Sequence, residues 1–162
     1  MDIGKVKEYL GDEWTAVRDC IVSSLKSDIS LLDSTNTSIL SNSGKQLRPL
    51  LALLFARACS GGKTEDATIR YAAASELLHN ATLLHDDVAD DGNLRRGVPT
   101  VKAVFGQAAS ILAGDYWLAQ ALNLLTQWGG DVLACFTNAV KELSVGELIQ
   151  MEKAELLDTC KE

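Results

Sequence analysis

Apolar residues step by three and four along most of the chain. Ile3, Val6, Leu10, Trp14, Val17, Ile21 and Leu25 form the first stripe, which predicts a helix from about Asp2 to Lys26. The polar stretch SDISLLDSTNTSILSNSGKQ follows and reads as a loop holding one short helical turn. Pro49 stands where a first helical turn tolerates proline, so the next helix is expected from about Arg48 to Cys59. It is apolar nearly all round, which predicts a central position. Ser60-Gly61-Gly62 ends it.

Thr64 reads as an N-cap, and Glu65 and Asp66 favour the positive end of a long helix to about Asp90. Gly92-Asn93 breaks that helix. Pro99 opens a short helix to about Phe105. Another is expected from about Gln107 to Trp128, stopped by Gly129-Gly130, and Asp131 caps a last one to about Leu157. Valine and isoleucine do not alternate with polar residues for long, so strand signals are weak. The pattern predicts one all-α domain over residues 1–162, a bundle of six or seven helices without internal repeats.

Composition narrows the function more than the fold. The chain has 162 residues, 47% of them hydrophobic, and a formal net charge of −7. That balance argues against a broad nucleic-acid interface, which needs a basic face. It leaves room for a local basic pocket that holds a phosphorylated small molecule. Cys20, Cys59, Cys135 and Cys160 form no C-x-x-C pair and no zinc spacing, and they read as idle thiols in a reducing cytoplasm. MDIGKVKEYLGDEW has acidic residues and no continuous apolar segment, unlike a signal peptide. The longest apolar run, Leu50 to Ala56, is too short to span a membrane, so no transmembrane segment is expected.

Candidate chemistry concentrates in LLHDDVADDGNLRRG. Asp86, Asp87, Asp90 and Asp91 crowd together, and Arg95 and Arg96 follow. Residues four apart share a helix face, so Asp86 and Asp90 point the same way with Asp87 beside them. Such an oxygen-rich site suits Mg²⁺, which takes one or two carboxylates plus substrate phosphates. Arginines bind phosphate oxygens bidentately. His79 lies two turns before Asp86 on the same stripe. An EF-hand fails, because alignment on Gly92 puts Ala89 and Val98 at ligand positions. A P-loop ending at Gly62-Lys63-Thr64 fails, because Arg57 stands where its first glycine belongs. Taken alone, the acidic run also fits a solvated helix end, Lys45 and Arg48 a surface pair, and His79 a satisfied core histidine.

Four segments taken jointly change that weighting. GKQLRP, ELLHNATLLHDDVADDGNLRRGVPTV, LAGDYWLAQAL and LSVGELIQ, in that order, resemble the trans-isoprenyl diphosphate synthases. The resemblance covers nearly the whole chain and is nearest to the long-chain, octaprenyl or polyprenyl type. It implies the isoprenoid synthase fold, here its N-terminal helices. By the same resemblance, Asp86, Asp87 and Asp90 match the first DDxxD motif, whose Mg²⁺ bridges an allylic diphosphate. Arg95 matches the arginine that holds that diphosphate. Lys45, Arg48, His79 and Arg96 match the isopentenyl diphosphate site, and Gln150 a glutamine near the reacting allylic chain. LAGDYW, with Asp115, is expected to be core packing along the hydrocarbon tunnel.

The implied reaction is Mg²⁺-dependent condensation of isopentenyl diphosphate with an allylic diphosphate in a cytoplasmic homodimer. In the family, aromatics near the fifth residue before the motif stop elongation early. Here Ala81 stands there, with Leu78 and Thr82 nearby, which implies a product beyond geranylgeranyl length. A complete member is much longer, and its later half carries a second aspartate-rich motif and a lysine. This chain therefore resembles an N-terminal portion. Two other readings stay open: a non-catalytic subunit or inactive fragment of a prenyl synthase, and a class I terpene cyclase. Arg95-Arg96 together with Lys45 and Arg48 suit two diphosphates, which favours a transferase over a cyclase.

Overall fold

The computed structural model describes residues 2–62, 64–127 and 130–159, with side chains to residue 154. The chain divides into two compact units, residues 1–125 and 126–162. The first contains α1 (Ile3–Leu10), α2 (Asp12–Ser24), α3 (Ser30–Ser41), α4 (Leu47–Ser60), α5 (Asp66–Ala89), β1 (Leu94–Arg95), β2 (Val98–Pro99), α6 (Val101–Phe105) and α7 (Gln107–Leu125). The second holds one long helix, α8 (Gly130–Thr159). The fold is all-α, as the periodicity predicts, apart from one two-residue hairpin.

α5 is the axis of the first unit and packs against α2, α4 and α7. Its length follows from local chemistry. Asp66 lies in the first turn, and Arg70 Nε reaches Asp66 Oδ2 at 2.9 Å one turn on. Ala72, Ala73 and Ala74 are wholly buried, and such small side chains let neighbouring helices approach closely. Leu77 on α5, Leu53 on α4 and Trp117 on α7 are buried to within 1%. Each contributes about 1.5–3 kcal/mol relative to exposure. The α5 end is sharp because Asp91 takes a left-handed φ of 53°, which aspartate tolerates better than most residues. Gly92 N then donates to Asp87 O at 2.9 Å.

Three expectations need correction. The first helix is two helices, because Gly11 adopts φ 50° and ψ −118° between them. The apolar stripe continues across that break: Leu10, Trp14, Val17 and Ile21 are all buried. The polar stretch after Lys26 is a helix of 12 residues, α3. Its buried Asn36 donates to Leu25 O at 2.8 Å and accepts from Trp117 Nε1 at 2.7 Å, partners that local sequence does not reveal. Finally, α4 is not central. Leu50 and Leu53 are buried, while Leu47, Leu51 and Phe55 are 47%, 48% and 68% exposed at four-residue spacing.

Smaller shifts occur at the ends. α5 starts at Asp66 behind Glu65 rather than behind Thr64, and α7 ends at Leu125. The expected stop at Gly129 and the cysteine at 160 lie outside the described residues. Among the described residues no helix is long and apolar enough to cross a membrane.

Candidate functional site

The hairpin after α5 decides where the two arginines go. β1 and β2 pair antiparallel with Arg95 opposite Val98. Arg96 and Gly97 fill the turn with φ of 54° and 80°, both positive as a two-residue type I′ turn requires. Consecutive strand side chains point to opposite faces, and here the neighbours part. Arg95 turns back to α5, where its Nε and Nη2 both meet Asp87 Oδ1 at 2.9 Å. Arg96 reaches the segment before α4, and its Nη1 donates to Asn42 O at 3.5 Å. Gly44, itself at φ 68°, makes room: a Cβ there would overlap the Arg96 guanidinium.

Around Arg96 lies a cavity of about 380 Å³, lined also by Lys45, Arg48, Glu76, His79 and Gln46. These come from the α3–α4 connection, the first turn of α4, α5 and the hairpin. Residues 45, 48, 79 and 96, singled out in the sequence, thus meet at one place. His79 is a neutral imidazole at physiological pH. Burial first, then Arg48, Arg96 and Arg95, holds its pKa down to about 4. The walls offer guanidinium and ammonium donors to an anion, with a neutral ring able to add one hydrogen bond.

Glu76 is a site residue that sequence reasoning missed. It is 3% exposed, and burial raises its pKa, while the Asn80 hydrogen bond and the charges of Arg48, Arg96 and Lys7 oppose that rise. The available signal was its spacing, one helical turn before His79 on the same face of α5.

A second, tighter cavity of about 70 Å³ adjoins through Arg96. It is lined by Asp87 and Arg95 on one side and by Ile39, Leu83 and Val101 on another. A charged rim thus sits against apolar walls. The acidic residues themselves are less uniform than their spacing suggests. Asp87 is buried and committed to Arg95. Asp86 is half-buried, Asp90 is exposed, and Asp91 pairs with Lys102, which lowers its pKa. Among the described residues no three acidic, histidine or cysteine side chains converge as a metal cage. The donor set still fits Mg²⁺, because hard carboxylate oxygens one turn apart can supply one or two ligands and leave the rest to substrate phosphates and water.

The remaining candidates are placed differently. Ala81 is buried, Leu78 and Thr82 are half-buried, and Thr82 Oγ1 donates to His79 O at 2.8 Å. None of the three lines either cavity. Gln150 is exposed on α8, in the second unit, with Nε2 at 3.5 Å from Glu147 Oε2. Asp115 departs from the expected core packing: it is exposed, and its Oδ1 lies 3.2 Å from His85 Nε2. The buried core residues of that segment are Ala113 and Trp117.

Comparisons with known proteins agree with one another. The family model described as polyprenyl synthetase matches residues 29–162. Octaprenyl diphosphate synthase of Escherichia coli is 38% identical over 152 residues, 93% of this chain and 46% of that protein. A decaprenyl diphosphate synthase crystal structure from Rhodobacter capsulatus superposes with TM-score 0.83 at 31% identity, over 93% of this chain and 46% of that one. A polyprenyl synthase from Caulobacter crescentus, crystallised with calcium and isoprenyl diphosphate, gives TM-score 0.83 at 30% identity, over 93% and 45%. The chain spans about half the length of the curated relatives it matches.

Proposed function

This chain belongs to the polyprenyl synthetase family, and on that premise we propose that it binds isopentenyl diphosphate and an allylic diphosphate for condensation into a long-chain polyprenyl diphosphate. The observation that carries the reading is the meeting of Lys45, Arg48, His79 and Arg96 around one cavity, adjoining the Asp87–Arg95 pair. Two neighbouring sites share Arg96, and two diphosphate substrates need two neighbouring sites.

The chemistry follows from charge. The allylic carbon–oxygen bond breaks as diphosphate departs with the electron pair. The double bond of isopentenyl diphosphate then attacks the cation, and loss of a proton restores an alkene. Preorganised positive groups stabilise charge that grows on the leaving group. Asp86, Asp87 and Asp90 would hold Mg²⁺, which supplies Lewis-acid stabilisation to that departing diphosphate. Arg95 places Nε and Nη2 on Asp87, and its other N–H donors remain for phosphate. Lys45, Arg48 and Arg96 fix the second diphosphate, which makes the encounter effectively intramolecular. Gln150 is assigned to the allylic chain, and small Ala81, with Leu78 and Thr82, to a wall that permits long products. A homodimer and a cytoplasmic setting go with this reading.

The test is prenyl transfer with labelled isopentenyl diphosphate, farnesyl diphosphate and Mg²⁺, with the products sized. Products beyond geranylgeranyl length support the proposal. Binding of both diphosphates without transfer would instead make the chain a substrate-holding subunit, and absence of binding would overturn both.

A further inference from the structure

A third cavity, of about 210 Å³, is walled by α1, α2, α3 and the segment that follows α3. Lys7 of α1 and Arg18 of α2 line it, beside Trp14, Val22 and Leu40. Ser43 and Gln46 line both it and the cavity around Arg96. Among the described residues no acidic one lines it. That is unexpected on a chain of net charge −7, because Asp2, Glu8, Asp12, Glu13 and Asp19 all lie on or beside α1 and α2. Elsewhere cations find carboxylates: Arg57 pairs with Glu13, Arg70 with Asp66 and Lys102 with Asp91. Arg18 is exposed and, among the described residues, has no such partner. The Lys7 ammonium is held instead over the Trp14 ring, 4.6 Å from its centroid. Long cations often do no more than shield apolar surface, but shielding alone does not keep every carboxylate off the wall. Two unneutralised cations beside an apolar wall suit a ligand that is anionic at one end and hydrocarbon at the other.

We propose that this cavity is a further anion site, distinct from the one around Arg96 and independent of the prenyl-transfer reading, and that its ligand is an organic phosphate with a short aliphatic part. Arg18 offers a planar fork to two phosphate oxygens, and Lys7 adds a point charge. Ser43 and Gln46 supply hydroxyl and amide donors on the same wall. The hydrocarbon lies against Val22 and Leu40. An aliphatic group fits better than a flat ring, because Trp14 is only 7% exposed and Lys7 already covers its ring.

Hexyl phosphate is the probe, since it has no allylic bond to break and no double bond to attack. It is titrated calorimetrically, without divalent metal, into the parent chain and into Arg48→Ala, which weakens the neighbouring Arg96 cavity. It is then titrated into Arg48→Ala carrying also Arg18→Ala or Lys7→Gln. Expected is binding that persists in Arg48→Ala and falls about tenfold with each added substitution, as the loss of a charge-assisted hydrogen bond requires. Inorganic phosphate and hexanol should each bind Arg48→Ala at least about tenfold more weakly than hexyl phosphate, because each keeps only half of the recognition. Equal affinity with and without Arg18→Ala overturns the proposal. So does binding by the parent that vanishes in Arg48→Ala, which would put the anion in the Arg96 cavity, and so does no binding by either. Hexanol bound as tightly as its phosphate would make the cavity an apolar cleft, and inorganic phosphate bound as tightly would remove the hydrocarbon; either overturns the ligand class. If Lys7→Gln does not fold, Arg18→Ala decides alone.

Discussion

Around the cationic cavity of Lys45 and Arg48 the charged groups come from four places in the fold, whereas the carboxylates at the end of α5 come from one short stretch. The fold itself positions the groups around the cavity. Arg96 sits in a left-handed turn against Gly44, and His79 and Glu76 are held by the α5 face. At the acidic end Asp87 is held by Arg95 and Asp91 by Lys102. Asp87 is buried and paired, while Asp90 is exposed. The difference teaches that an anion site can be preformed from positive groups spread over the fold. Clustered carboxylates repel one another and form a complete site only when a cation and its phosphate ligands join them.

The largest effect that would break this comparison is at Asp87. Asp87→Ala leaves the part-exposed Arg95 without its partner and should lower stability by about 2 kcal/mol, since hydrogen bonds to charged groups carry about 1.5–3 kcal/mol. Asp90→Ala should change it by less than about 0.5 kcal/mol, as exposed positions do. Urea unfolding of both variants measures this, and equal losses would mean the two carboxylates are equally committed. Next, Arg48→Ala should weaken metal-free pyrophosphate binding about tenfold, as expected for a lost charge-assisted hydrogen bond, while Asp90→Ala leaves it unchanged.

A smaller effect concerns preorganisation. Gly44→Ala forces a left-handed backbone onto a residue with a Cβ and pushes it into the Arg96 guanidinium. A stability loss of about 1 kcal/mol is expected, with weaker pyrophosphate binding. Unchanged binding would show that Arg96 does not depend on that contact. A separate effect is a pH dependence. His79 has a folded pKa of about 4, lowered from 6.5. The unfolded chain therefore binds more protons between those values, and stability falls as pH drops from about 6.5 toward 4. Above that window His79 contributes no slope. His79→Gln should flatten acid unfolding across it, and an identical profile would contradict neutral burial of the imidazole.

How far the sequence reaches depends on the range of the forces involved. α5 is legible because alanine and leucine at helical spacing and an acidic first turn all act within a few residues. The chemistry of Asp86, Asp87 and Asp90, with the arginines behind them, is legible for the same reason. α3 is not. Its sequence favours turns, and its buried Asn36 bridges Leu25 to Trp117, a bond across 81 positions that no local window contains. The central helix is α5 rather than α4, because burial is settled by which neighbours arrive and not by apolar content alone.

The amino-acid sequence by itself determined an all-α chain, the acidic end of one long helix and the family to which these motifs point, because periodicity and short-range charge are written locally. Tertiary structure decided that Arg95 turns back to Asp87 while Arg96 borders both cavities, that Lys45, Arg48 and His79 converge on one of them, and that Glu76 lies buried beside them. These outcomes depend on the sign of two backbone angles in a turn and on packing between distant segments, and neither can be read from residue order.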